Sequence, residues 1–127
     1  VDLARQLKAS IIALSVIDKR LFMGQTVPAS KTSRQITESV EDYLREIAEN
    51  YLEDIQKLCR KNAVPLKYLI KMGYPVEEIV KEAGRSKADL IVMGSRGRSA
   101  LSATVLGSVS YGVIHNDKKV PVLIVRG

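Results

Sequence analysis

The chain has 127 residues, 46% of them hydrophobic and 27% charged, and its 20 Lys and Arg against 14 Asp and Glu give a net charge of +6. This composition is that of one globular domain, and it excludes collagen-like, coiled-coil and disulfide-scaffold proteins. The apolar runs are too short to span a bilayer. Because the chain has one cysteine and so no internal disulfide, we expect a cytoplasmic location.

The first third of the chain predicts a helix, a strand and a loop. Residues 1–8 have the spacing of the last two turns of a helix, since their apolar side chains share one face. The apolar run at 9–18 predicts a buried strand. The stretch at 20–35 is rich in Gly, Thr, Pro, Ser and Lys and has no period, which predicts a long mobile loop.

The middle of the chain predicts two helices around a strand. Apolar residues recur at helical spacing over 37–61, which indicates a long amphipathic helix. Apolar and polar residues alternate over 65–71, as in a strand. A helix follows at 76–85, and Pro75 suits its first position because proline lacks the N–H that a first helical residue leaves unbonded.

The last third predicts a strand at 88–93, a loop at 94–103, a helix at 104–116 and a final strand at 121–125. Helices and strands thus alternate along the whole chain. Short apolar strands in such an order are typical of an α/β fold, an open parallel sheet with helices on both faces. We therefore predict a single domain over 1–127.

The loop after the strand at 88–93 carries the clearest chemistry. Ligands of open parallel sheets bind outside the carboxyl ends of the strands. Glycines let the backbone approach a ligand there, and the start of the next helix offers N–H groups to a phosphate. The residues concerned are Gly94, Arg96, Gly97, Arg98, Gly107 and Ser108. They predict a site for a phosphate-bearing small molecule, and the alternative is a plain glycine turn before a packed helix.

The spacing of these residues resembles a known nucleotide-binding signature. Written G-2x-G-9x-G-S, it begins at Gly94 and ends at Ser108, and it resembles that of the universal stress protein family. The turn and helix start at 73–79 and the strands at 88–94 and 120–125 are similar to that family as well. The resemblance covers the chain from residue 9 onward and implies a Rossmann-like fold of the universal stress protein type.

The resemblance to the ATP-binding branch of the family implies a ligand and its contacts. The ligand would be ATP, or else AMP or ADP, with Mg or Mn carried by its phosphates. The implied phosphate contacts are Gly94, Gly97, Gly107, Ser108, Val109 and Ser110. Arg96 and Arg98 would add positive charge. Met93 and Val16 would flank the adenine, although each is also an apolar residue on a predicted buried strand.

The resemblance also implies an assembly and a role. Members of the family form homodimers through the last strand, here Val122, Leu123, Ile124 and Val125, since a bare apolar edge strand needs covering. The implied role is that of a nucleotide-dependent regulatory protein in the stress response. It would not be an enzyme, beyond slow ATP hydrolysis, because no residue stands out as a general base for water. The alternative is a dimeric interaction module of the same fold that binds no nucleotide.

Two other kinds of partner are disfavoured. Despite its positive charge, the chain has no Trp and a single Phe, so it lacks the interleaved aromatic residues of a nucleic-acid surface. It also has no Cys and His spacing typical of a metal site, so no metal held by the protein alone is predicted.

The number of strands differs from that implied by the resemblance. The family's sheet has five parallel strands, and the first in sequence lies at the centre. Only four strands are predicted in these 127 residues. We therefore expect the domain to be incomplete at its N-terminal side, without the central strand and the Asp at its end that contacts the nucleoside. An exposed seam would lie between the strands at 9–18 and 88–93.

Overall fold

A computed structural model describes residues 1–18, 31–95, 107–117 and 119–126, with the backbone alone for 31–39. The chain forms two compact units, Val1–Gly73 and Tyr74–Gly127. In chain order the elements are α1 (Asp2–Leu7), β1 (Ile11–Asp18), α2 (Lys31–Lys61), β2 (Leu66–Gly73), α3 (Pro75–Arg85), β3 (Ile91–Gly94), α4 (Ser108–Asn116) and β4 (Val122–Val125).

The strands pair in parallel, two in each unit. β1 pairs with β2 from Ile11 opposite Leu66 onward, and β3 pairs with β4 from Ile91 opposite Val122 onward. Each pair is joined through a helix, as parallel neighbours require a crossover connection. The predicted α/β class with parallel strands is confirmed, and the family's fifth, central strand is not among the strands described.

The first unit buries one face of α2 against its two strands. Side chains of β1 alternate, so that Ala13 and Ile17 are buried while their neighbours are more exposed. On α2 the buried residues are Ala48, Leu52 and Cys59, which recur at spacings of four and seven. These spacings place them on one face of a helix. The helix is thus confirmed, but its buried face is not the one that the apolar periodicity picked out, because Tyr51 and Leu58 of that stripe are 56% and 51% exposed.

The predicted loop at 20–35 is wrong over its last residues. Residues 19–30 lie outside the described residues, but α2 already begins at Lys31, six residues before the predicted start of the helix. This first part of α2 contains Lys31, Arg34 and Gln35, which have good helix propensity. Because it carries only one aliphatic side chain, Ile36, the apolar periodicity on which the prediction depended could not reveal it.

Two predicted boundaries in the second unit also differ. β3 begins at Ile91 rather than at residue 88, and α3 ends at Arg85 with a C-terminal turn that includes Ala88. Lys87 adopts a left-handed φ of 54°, and the N–H of Ala88 donates to the carbonyl of Ala83 at 3.0 Å. This hydrogen bond, which follows the left-handed residue at the end of the helix, gives the Ala83 carbonyl a donor that the helix itself does not supply. The last helix begins at Ser108 after its N-cap Gly107, and residues 104–106 of the predicted helix lie outside the described residues.

Candidate functional site

The carboxyl end of β3 and the amino end of α4 lie side by side in the second unit. The N–H of Gly107 donates to the carbonyl of Ser95 at 2.6 Å, and the N–H of Ser95 donates to the carbonyl of Val125 at 2.9 Å. The hydroxyl of Ser110 donates to the carbonyl of Gly94, also at 2.6 Å. We call these three hydrogen bonds the neck. They hold together the end of β3, the start of α4 and the end of β4, which are more than ten residues apart in sequence.

The amino end of α4 is not capped by a side chain. Its N-cap is Gly107, and the first bond of the helix runs from the N–H of Tyr111 to the Gly107 carbonyl at 3.0 Å. The N–H groups of Ser108, Val109 and Ser110 therefore have no acceptor within the helix. The first turn contains no acidic residue. The positive end of the helix dipole thus meets no carboxylate of its own turn, which favours a bound anion.

Packing on two sides sets the position of α4. Ser110 and Val113 are buried, with 3% and 0% of their surfaces exposed. Gly112 lies against α3, where a Cβ added to it would stand 2.6 Å from Cγ2 of Val76. Such a distance is shorter than real Cβ contacts allow, so any other residue at 112 would require Val76 or the helices to shift. The amino end of α4 is therefore held by packing as well as by hydrogen bonds.

Comparison with known proteins identifies the family. The model of the universal stress protein family matches residues 1–126. The chain belongs to this family. Universal stress protein MJ0531 of Methanocaldococcus jannaschii is 34% identical to it over 126 residues, which cover 99% of this chain and 70% of that protein. MJ0577 of the same organism is 36% identical over 132 residues, covering 96% and 80%.

Solved structures show the same fold. The structure of MJ0577 superimposes with a TM-score of 0.76 at 32% identity, covering 98% of this chain and 85% of that one. UspA from Lactobacillus plantarum gives a TM-score of 0.81 at 22% identity, covering 98% and 83%. A universal stress protein in complex with cAMP gives 0.54 at 23% identity, covering 98% and 79%. The last two likenesses concern the fold alone.

Several residues of the predicted signature come together at the neck of this universal stress protein. Gly94 ends β3 and is exposed, Gly107 is the N-cap of α4, and Ser108 is the exposed first residue of the helix. Val109 follows it and is half-buried. Ser110 differs from Ser108, because the Ser110 side chain is buried and its hydroxyl donates a hydrogen bond to the Gly94 carbonyl.

The other predicted residues lie elsewhere. Met93 is half-buried on β3, opposite Ile124 of β4. Val16 is half-buried on β1 of the first unit, opposite Lys71 of β2. The second glycine and the two arginines of the signature loop, Arg96, Gly97 and Arg98, lie outside the described residues.

Sequence reasoning named Val125 of the neck only as part of the dimer strand, and it missed Ser95 altogether. It takes part through its backbone N–H and carbonyl, which bond to Val125 and Gly107. Backbone groups are the same in every residue type except proline. The identity of Ser95 therefore gave no signal, and its place directly after Gly94 was the one hint available.

The other charged groups near α3 and α4 stabilise the fold locally. Glu82 is buried and accepts two hydrogen bonds from Arg85, at 2.9 and 2.6 Å, and the hydrogen bond and the charge of Glu82 raise the pKa of Arg85. Oδ1 of Asp117 accepts the N–H groups of Lys119 and Val120 at 3.1 and 3.2 Å, which shapes the turn into β4. These carboxylates have structural tasks away from the neck.

The described residues contain neither a metal-binding cluster nor a membrane-spanning helix. There, no group of three or more His, Cys, Asp and Glu side chains is placed to hold a metal ion. No helix in the same ranges combines the length and the apolar character needed to cross a membrane. The single cysteine, Cys59, is buried on α2 as a free thiol.

Proposed function

We propose that this universal stress protein binds an adenine nucleotide, ATP or else AMP or ADP, with its phosphates at the amino end of α4. The observation that carries the proposal is the neck, which brings Gly94 and Gly107 of the signature together beside an uncapped helix start. A phosphate would accept the N–H groups that have no acceptor within the helix, and its negative charge would meet the positive end of the dipole.

Further parts of the signature would complete the site. Gly97 would let the loop approach the phosphates, Arg96 and Arg98 would add positive charge, and Met93 would lie beside the adenine. Mg²⁺ or Mn²⁺ would be carried by the phosphate oxygens, since these ions prefer hard oxygen ligands. One universal stress protein has been solved in complex with cAMP. That structure supports the proposal by showing an adenine nucleotide on a protein of this fold.

The proposed role is regulatory rather than enzymatic. The protein would report the presence of a nucleotide through contacts between two copies in the cytoplasm. The surface that supports a dimer is β4, where Leu123 and Val125 are 43% and 49% exposed while Val122 and Ile124 are less exposed. Pairing of two such edges would cover both the apolar side chains and the backbone of the strand. Light scattering at micromolar concentration tests this, and a monomer mass would count against the dimer.

The nucleotide is tested on the purified protein. We expect adenine nucleotide in near-equimolar amount when the protein is denatured and the supernatant is separated by ion exchange. If the protein is purified empty, we expect heat on titration with ATP. No bound nucleotide and no heat with ATP, ADP or AMP would overturn the proposal. Together with a dimer mass, that result would favour an interaction module that uses the exposed strand β4 and binds no nucleotide.

A further inference from the structure

We propose that Ser110 is a positioning residue, whose hydroxyl holds the amino end of α4 at the angle in which its N–H groups meet a phosphate. This inference rests on the proposed nucleotide binding and assigns a task that differs from a direct phosphate contact. The residue lies in the third position of α4, and its partner, the Gly94 carbonyl, lies at the end of β3.

Two serines of the same turn face different surroundings. Ser108 is exposed at the first position of α4, where its hydroxyl is open to a ligand. Ser110 is only 3% exposed, and its Oγ stands 2.6 Å from the oxygen of Gly94, sixteen residues earlier. A buried hydroxyl that donates to a buried or strand-end carbonyl adds stability, and its removal leaves that carbonyl without this donor. The two side chains are therefore suited to different tasks.

The hydrogen bond of Ser110 helps to fix the orientation of α4 relative to the end of β3. The backbone bond from Gly107 to Ser95 joins α4 to the strand end at one point, and this bond by itself does not fix the angle between the start of α4 and β3. The bond from Ser110 to Gly94 joins the same two segments at a second point, one turn into the helix. Two points of attachment fix the direction of the helix axis and so the direction of its free N–H groups.

The opposite side of α4 is held independently. Gly112 follows Ser110 by two residues, which is about 200° around a helix, and it lies against Val76 of α3. Loss of the Ser110 hydroxyl would leave this packing in place. We therefore expect the helix to remain folded while its amino end loses its fixed angle to β3. A phosphate would bind the N–H groups at that amino end, so its binding should weaken.

The test compares Ser110→Ala with Ser108→Ala, a change of the same atoms two residues away. Calorimetry measures the affinity of each variant for ATP and for adenosine, which lacks phosphates, and thermal unfolding is followed without ligand. For Ser110→Ala we expect a Tm lowered by several degrees, on the order of one hydrogen bond. We also expect about a three- to tenfold loss of ATP affinity with adenosine affinity unchanged. Ser108→Ala should leave the Tm unchanged.

Each outcome decides between roles. A fall in both the Tm and the ratio of ATP to adenosine affinity supports a positioning role. A fall in ATP affinity with an unchanged Tm would mean direct contact, and a lower Tm with an unchanged ratio would mean a purely structural bond; either overturns the inference. If Ser110→Ala does not fold, Ser110→Cys keeps the volume with a weak donor, and the same two readouts apply. Failure of the unmodified protein to bind ATP would overturn the proposed function first, and this inference with it.

Discussion

The two helices of the second unit begin in opposite ways. α3 starts with Pro75 after the N-cap Tyr74, and its first turn carries Glu77 and Glu78. α4 starts after Gly107 and has no acidic residue in its first turn. Neither start has a capping hydrogen bond from a side chain. The carboxylates in the first turn of α3 interact with the positive end of its helix dipole. The positive end of the α4 dipole has no such carboxylate and is left for a group from outside the helix.

The two N-cap residues sharpen this contrast. Tyr74 has φ −90° and ψ 120°, and Gly107 has φ −59° and ψ 150°. Both conformations are extended and open to any residue, so the backbone does not require glycine at 107. α3 accepts a bulky tyrosine at the equivalent place. The glycine of α4 is therefore better explained by the open approach to the helix start than by a strained turn.

The largest expected effect is on Gly107. Gly107→Val should lower ATP affinity by at least about a hundredfold, because its side chain would stand in the volume of the phosphate. The fold should persist, since valine can adopt the dihedral angles of Gly107. Calorimetry measures the binding and circular dichroism checks the fold. From the signature we expect the same of Gly97→Val, and normal ATP binding by either variant would mean that the site is assigned wrongly.

The second largest effect is expected when a negative charge is introduced into the first turn of α4. Ser108→Asp places a carboxylate in the first turn of α4, as Glu77 stands in that of α3. We expect ATP affinity to fall about thirtyfold through like-charge repulsion. The free energy of unfolding of the unliganded protein should rise by about 0.3–1 kcal/mol, because the carboxylate interacts favourably with the helix dipole.

The matched control for that charge is Glu77→Gln in α3. It should cost a similar few tenths of a kcal/mol in the free energy of unfolding and leave ATP affinity unchanged. Urea unfolding and calorimetry measure the two quantities. Unchanged ATP affinity in Ser108→Asp would show that the open end of α4 is not where the phosphates bind.

An effect on stability alone, without a change in the phosphate site, is expected where α3 and α4 pack together. Gly112→Ala should destabilise the protein by about 1–2 kcal/mol, because its Cβ would overlap Val76. Gly84→Ala, near the end of α3, meets nothing within 4 Å and should instead stabilise by about 0.5–1 kcal/mol. Chemical unfolding of both variants checks the signs. Equal effects at the two glycines would contradict the close packing of α3 and α4.

Much of the fold followed from local patterns. The apolar periodicity of α2 and the apolar runs of β1 and β4 were sufficient to predict the class, since amphipathic elements leave a regular trace in the sequence. The periodicity did not identify which residues of α2 are buried, because Tyr51 and Leu58 are exposed and Ala48 and Cys59 are not. The start of α2 was not predicted because this part of the helix is mostly polar and so shows little apolar periodicity. The start of β3 escaped because a hydrogen bond between Ala88 and Ala83 prolongs the end of α3.

The sequence by itself determined the alternation of helices and strands and the signature that runs from Gly94 to Ser108. The tertiary structure alone decided that Ser110 turns its hydroxyl to Gly94, and that Gly112 lies against Val76. The physical reason is the range of the interactions. Propensity and periodicity act within one element, whereas a hydrogen bond or a close contact between elements depends on where each of them has packed.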